Sequence, residues 1–457
     1  MNTMKKILFF TTITLMGNLL FAQTNPAILE WLQNDSIKGS HYVSGNSTVI
    51  QDNDLANVQK VEYSASSVYV HTNGIPAYAT GPFLDRNPSF ATAQNAIFKF
   101  PLNPAQNMGT STSTNGGNIG VFINGVALFD YRDGVSYSLS AATDQGGPVG
   151  GRGDGVWNRD AVPAEMDGFD CSKGHPARGN YHHHQNPSAF KLDKNVISNI
   201  CNLYDADGLY AIDANSHSPL IGFAYDGFPI YGAYGYANVD GTGGVARIES
   251  SYKLRSIAVR THYSDGSNVT DGPAVNVRYP IGHYREDYEY NSANGDLDQH
   301  NGRFSVTPEY PNGIYAYFAT VDANWNSSYP YAVGPTFYGN VTASKVNAVT
   351  ETTDVYSTEV TDNTDTTTSI NINSVIPSFS VFPNPAQNFI AIQAGGLVKS
   401  NINIDLIDME GSVVRSSQIK QGSTIWYIDT QTLYNGTYVL RINSGTAVTT
   451  QKVVIQK

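Results

Sequence analysis

Charge is scarce in this chain, and positive charge is scarcest. Of 457 residues only 14% are charged, with 27 Lys and Arg against 39 Asp and Glu. A nucleic-acid surface needs a basic patch to meet phosphate, so the balance argues against nucleic acid as a partner. Cysteine is nearly absent. Cys171 and Cys201 make one even pair, a disulfide candidate in an oxidising compartment and otherwise two buried thiols. Beyond the N-terminus no apolar run is long enough to span a bilayer, so no transmembrane segment is expected in the mature chain. The sequence also lacks a Gly-x-Ser-x-Gly elbow, a His-Glu-x-x-His helix, a Walker loop and a dinucleotide fingerprint. The reactions those motifs serve therefore find no support here.

The one long apolar run is N-terminal. Lys5 and Lys6 precede the stretch from Ile7 to Leu20, and Phe21-Ala22 stands before Gln23. Residues 1–22 read as a secretory signal peptide, so the protein is expected to be exported. With Lys5 and Lys6 removed, 25 basic residues face 39 acidic ones, a formal charge of −14 that is compatible with cations as ligands.

What is abundant is Gly, Tyr, Asn, Ser and Thr. Short β-like runs separated by turn residues fill residues 23–342, among them Ser67–His71, Ala96–Phe100 and Asn118–Asn124, the last followed by Gly125 as a hairpin signal. A short helix is expected around Ala27–Gln33. Residues 343–375 are rich in Thr, Asp, Ser and Val and carry almost no large aromatics, so they read as a disordered linker. Strand signals resume over 376–457, with runs such as Phe389–Gln393, Ile402–Asp408 and Gly436–Ile442. The fold class expected is all-β dominated: a large β-rich domain plus a small C-terminal immunoglobulin-like β-sandwich.

The last segment carries specific residues in order: Val381-Phe-Pro-Asn-Pro385, Ile407-Asp-Met-Glu-Gly411, Leu433-Tyr-Asn-Gly-Thr-Tyr438 and the closing Lys452–Lys457. It resembles the C-terminal sorting domain of type IX secretion substrates. The resemblance implies the type IX machinery as a partner, passage across the outer membrane, and a secreted or outer-cell-surface location.

Eight of the ten histidines lie between His175 and His300. If 181–184 are extended, Tyr181 and His183 face one way and His182 and His184 the other. Two imidazoles on one strand face can share a metal. His175, returned by a turn around Gly179, is the candidate third ligand, and His300 can join if its loop folds over the cluster. Imidazole suits a transition metal, Zn or Cu. The alternative is a polar-aromatic core in which the rings only stack and hydrogen-bond. Asp296, Asp298 and Asn301 cluster oxygens as a calcium loop does, although Asn301 and Thr307 stand where a helix-loop-helix calcium site needs Gly and Glu.

The segment around Tyr181-His-His-His184, with Ser218–Gly232, Gly295–Arg303, Gly313–Phe318 and Tyr329–Pro335, resembles the YHYH domain family over about 165–340. His183 replaces the second Tyr of the family's tetrad, while His182 and His184 keep its two histidines. Residues 23–165 are expected to add an N-terminal β-layer. The resemblance implies no settled chemistry. Three functions therefore stand side by side: a metal-binding protein using His175, His182, His184 and His300; a metal-independent adhesion module for an extracellular glycan or small molecule; and a hydrolase or oxidase at an open metal site. Asp226 and Asp298 are the candidate general acids or bases, and Asp226 is also the expected turn former of its own segment.

Overall fold

The computed structural model describes residues 25–85, 89–146, 153–187, 214–356, 379–382, 384–394, 402–408, 412–419, 425–444 and 447–457. The chain forms two compact units, Met1–Tyr356 and Ser357–Lys457. Strands dominate both, and only two short α-helices, Pro26–Leu29 and Ala161–Ala164, occur among the described residues. Asn25 caps the first helix, its side chain accepting from the Ala27 amide, and Pro26 fits the first turn, where its missing N–H costs nothing.

Two sheets organise the first unit. A five-stranded antiparallel sheet runs Ser344–Val346, Ala96–Pro101, Ser67–Thr72, Val58–Tyr63, Asp354–Tyr356. An eight-stranded mixed sheet runs Gly174–Ala177, Asn180–His183, Ala127–Phe129, Asn118–Phe122, Leu220–Ala224, Pro229–Tyr231, Ile314–Phe318, Gly302–Ser305. Alternation builds the first: in Ala96–Pro101 every second residue, Ala96, Phe98 and Phe100, is buried. Those side chains share one core with Val121, Phe223, Ile230 and Tyr317 of the second sheet. Trp31 bridges the layers, its ring 5.6 Å from Phe100 and 5.3 Å from Phe223. Each such ring contributes on the order of 2–3 kcal/mol by leaving water. The central strand Leu220–Ala224 is buried at every position, so this sheet is covered on both faces.

The hairpin expected at Asn124-Gly125 is present, with Val121 paired to Ala127 and Gly125 at φ 81°. The boundary of the linker differs from expectation. Residues 343–375 were expected to be disordered from their start, but Ser344–Val346 and Asp354–Tyr356 pair as the two outer strands of the five-stranded sheet. Composition misleads there because an edge strand buries little: Lys345 and Val355 are exposed, while the backbone ladder supplies the order. Residues 357–378, like residues 1–24 with the expected signal peptide 1–22, and Cys201 lie outside the described residues, and so does the bridge expected between Cys171 and Cys201.

The second unit has a three-stranded and a four-stranded antiparallel sheet. Val381, Ile390 and Ile392 of one and Ile404, Leu406 and Ile442 of the other enter a single core, the arrangement of a small immunoglobulin-like sandwich. The run Val413–Ile419, whose polar residues hid it in the sequence, supplies an edge strand of the larger sheet.

Candidate metal centre

The histidine-rich segment folds as a tight hairpin. Gly174–Ala177 pairs antiparallel with Asn180–His183, which sets His175 directly opposite His182. Arg178 and Gly179 form the turn, both at positive φ (53° and 89°), as a two-residue hairpin of the primed type requires. Gly174 admits no side chain, because a Cβ there would fall on the Tyr181 hydroxyl and 2.7 Å from His183 Cε1. The hairpin joins the sheet through His182 and His183, which run parallel to Ala127 and Leu128.

The pleat divides the tetrad. Tyr181 points into the main core and donates its hydroxyl to Asp170 Oδ2 at 2.8 Å. His183, on the same side, lies 3.1 Å from the Tyr78 hydroxyl and edge-on to Phe122. On the other side His182 and His184 meet His175. His184 Nε2 lies 3.2 Å from His182 Nε2 and 3.4 Å from His175 Nε2, and one nitrogen from each ring falls within 4.8 Å of the others. All three residues are buried, at 8%, 2% and 4% exposure for His175, His182 and His184.

The far side of each of two rings is fixed. His182 Nδ1 lies 2.9 Å from the Asn180 carbonyl and His184 Nδ1 2.7 Å from that of Asp130. A carbonyl only accepts, so each Nδ1 carries a proton, which makes Nε2 the lone-pair atom of either ring in its neutral form. Asp130 is itself held by Arg132, Nε to Oδ1 at 2.8 Å. Phe129 stacks on His182 with centroids 3.8 Å apart, and Phe169 stands edge-on to His175 at 4.9 Å.

A fourth side chain, unforeseen from the sequence, faces this cluster. Glu165 Oε2 lies 3.2 Å from His184 Nε2 and 3.3 Å from His175 Nε2. It ends the helix Ala161–Ala164, its amide donating to Ala161 O, and Asp160 caps the other end by accepting from Val162 N. The capping signal at Asp160 is visible in the sequence, but nothing there ties Glu165 to the hairpin.

Burial dominates the electrostatics. It pushes His175 down to about 4 and His182 well below its ordinary value, leaving both neutral. His184 is buried too, yet contact with Glu165 outweighs burial and raises it. Burial likewise works to raise Glu165, but His184 and His175 together hold it below the usual carboxylate range.

The other sequence candidates lie elsewhere. His300 does not join the cluster: its Nδ1 lies 2.7 Å from the Thr336 hydroxyl and 3.1 Å from the Thr336 carbonyl. Asp226 is fully buried; Oδ2 accepts from the Tyr317 hydroxyl at 2.5 Å and the Gly339 amide at 2.8 Å, and Oδ1 from the Phe228 amide. It staples a turn to a distant strand. Asp298 Oδ1 accepts from the His300 and Gly302 amides, and the Tyr315 hydroxyl lies about equally near both Asp298 oxygens. Asp296 Oδ2 accepts from the Glu249 amide, and Asn301 donates to the Phe318 and Ala332 carbonyls. The side chains read as a calcium loop thus bind the backbone around them.

The model of the YHYH protein family matches residues 97–330. This begins well before the 165 expected from the motifs, taking in Asn118–Phe129 and with it the strand on which the hairpin docks. The model of the secretion system C-terminal sorting domain matches residues 380–456. No curated protein matches the chain. No helix among the described residues is long and apolar enough to cross a membrane. The chain belongs to the YHYH protein family, and its type IX sorting tail marks it as a secreted or outer-cell-surface protein.

Proposed function

We propose that the first unit is an extracellular metal-binding module, with His175, His182 and His184 as ligands for a transition metal. One observation carries this reading: three buried imidazoles turn Nε2 atoms toward one point, and two of them are oriented by Nδ1–H donation to backbone carbonyls. Neutral, oriented imidazole is the ligand form of histidine. The Nε2 atoms of His175 and His182 lie 3.4 and 3.2 Å from that of His184, a spacing that a shared cation can bridge.

The test is metal content. Full-length protein purified without a polyhistidine tag and reloaded after chelation is expected to hold about one equivalent of zinc or copper by elemental analysis, following the three-imidazole chemistry of such sites. The His182→Ala, His184→Ala double variant should hold none. Equal metal in both proteins, or none in the wild type after reloading, overturns the reading.

A further inference from the structure

The geometry points to a second binding site, independent of the histidines: a polar cleft on a short β-ribbon that takes a neutral oligosaccharide.

Tyr252–Leu254 and Tyr288–Tyr290 pair as a two-stranded antiparallel ribbon, with Tyr252 opposite Tyr290 and Lys253 opposite Glu289. Side chains alternate between the two faces of such a ribbon. Tyr252 and Tyr288 pack against the buried cluster of Tyr131, Tyr329 and Tyr331, and Tyr288 lies flat on Tyr329 with centroids 4.0 Å apart. Lys253 and Glu289 take the other face and are exposed. The turn that follows is tied down. The Asn291 amide donates to the Ser251 carbonyl, the Asn294 amide donates to the Asn291 carbonyl, and the Asn291 side chain accepts from the Ala293 amide. Gly295 allows the close approach, because a Cβ there would fall on the Ser250 carbonyl. Ribbon and turn are thus ordered before a ligand arrives, which lowers the entropy cost of binding.

Together they border a cleft of about 570 Å³, lined by Lys253, Leu254, Glu289 and Tyr290 of the ribbon and by the turn from Asn291 to Asn294. That volume lies within the range of small-molecule sites. The lining chemistry selects the ligand. Lys253 and Glu289 stand directly opposite without forming an ion pair, and neither they nor the Asn294 side chain hydrogen-bonds to another of the described residues. An ammonium donates, a carboxylate accepts and an amide does both. The three together match a ligand that donates and accepts at neighbouring positions, as the hydroxyls of a sugar do. The two charges cancel locally, and the chain is acidic at a formal −12, so a polyanion is repelled. Leu254, 46% exposed, is the one aliphatic side chain of the lining. It offers the C–H face of a sugar a place to rest and is too little to seat the anchor side chain of a peptide.

Titration calorimetry on the full-length protein tests this, with neutral tetrasaccharides of cellulose, laminarin, xylan and mannan and with tetragalacturonic acid as the anionic probe. At least one neutral tetrasaccharide should bind, and more tightly than the galacturonide. Glu289→Ala should weaken that binding by about tenfold or more, the loss of a hydrogen bond to a charged group, and Asn294→Ala should weaken it less. Circular dichroism of each variant verifies the fold. Chelator, or the His182→Ala, His184→Ala change, should leave the affinity as it was, so failure of the metal-binding reading does not touch this one. Absence of binding by every neutral tetrasaccharide, tighter binding of the galacturonide, or full affinity in both Glu289→Ala and Asn294→Ala overturns the proposal.

Discussion

On the proposed metal binding, chelation should destabilise the first unit alone. A ligand that binds only the folded chain stabilises it by about 4 kcal/mol when free ligand is a thousandfold above Kd. Unfolding entropy is about 2.1 cal/mol/K per residue, so over roughly 300 ordered residues it totals about 0.6 kcal/mol/K. Dividing the two gives a fall in Tm of about 6–7 °C on chelation. The structure also says where the loss falls. The hairpin is the outermost strand pair of its sheet and meets the rest of it through only His182 and His183. A metal bound by His175, His182 and His184 would cross-link the two strands of the hairpin to each other and to the residue that follows them.

Differential scanning calorimetry with and without chelator measures the shift, and amide exchange places it at residues 174–184. The second unit is an internal control, since no comparable cluster occurs there among the described residues; its transition should not move. The His182→Ala, His184→Ala variant should be indifferent to chelator. A chelator effect of the same size in that variant, or none in the wild type once elemental analysis shows the metal gone, refutes the reasoning.

Arg260 and Asp287 are both fully buried and joined by two 2.7 Å contacts, with the Pro273, Tyr279 and Pro280 carbonyls accepting the remaining guanidinium protons. Asp287→Ala leaves the guanidinium unpaired and should cost about 3–5 kcal/mol, read as a fall in the urea midpoint of the first unit. Asp226→Ala strands the Tyr317 hydroxyl and the Gly339 and Phe228 amides, at roughly 1–3 kcal/mol each, and the same assay should show a loss of about 3 kcal/mol or more. Burial, helped by repulsion from Glu309, raises Glu30 from its ordinary value to about 7. The folded state then holds a proton that the unfolded state releases, so this contribution is fully present below about pH 4.5 and is lost as pH rises to 7. Stability of the first unit should fall over that window, and Glu30→Gln should flatten the fall; an equally steep profile in the variant would count against the assignment.

What the sequence made legible follows the range of each signal. Strand alternation is local, so it placed Tyr181 and His183 against His182 and His184, and it anticipated the strands at Ser67–Thr72 and Phe389–Ala394. Turn chemistry is also local, and Gly179 does return His175 to His182. Glu165 is different. It reaches the cluster because a capped helix ends beside the hairpin, and no short-range pattern records such a meeting. Asp226 and Asp298 were ambiguous for a related reason: a conspicuous carboxylate in a glycine-rich turn reads alike whether it serves chemistry or the backbone, and only the Tyr317 and Tyr315 hydroxyls show what these two hold. The linker boundary was misplaced because edge strands need little hydrophobicity once a neighbouring ladder is in place.

Burial sets the chemistry of the histidines. Taking three imidazoles out of water disfavours their charged forms, and most of the cluster is accordingly held neutral. A neutral ring that has committed its Nδ1 proton to a carbonyl has one remaining capacity, a lone pair at Nε2. In His175 and His182 that atom faces His184 Nε2 at 3.4 and 3.2 Å. As a ligand it needs no deprotonation and little reorganisation before a metal binds. Desolvation that makes the cluster poor as a set of charges therefore makes it good as a set of donors, walled by Phe129 and Phe169 and with the Glu165 carboxylate 3.2 Å from His184.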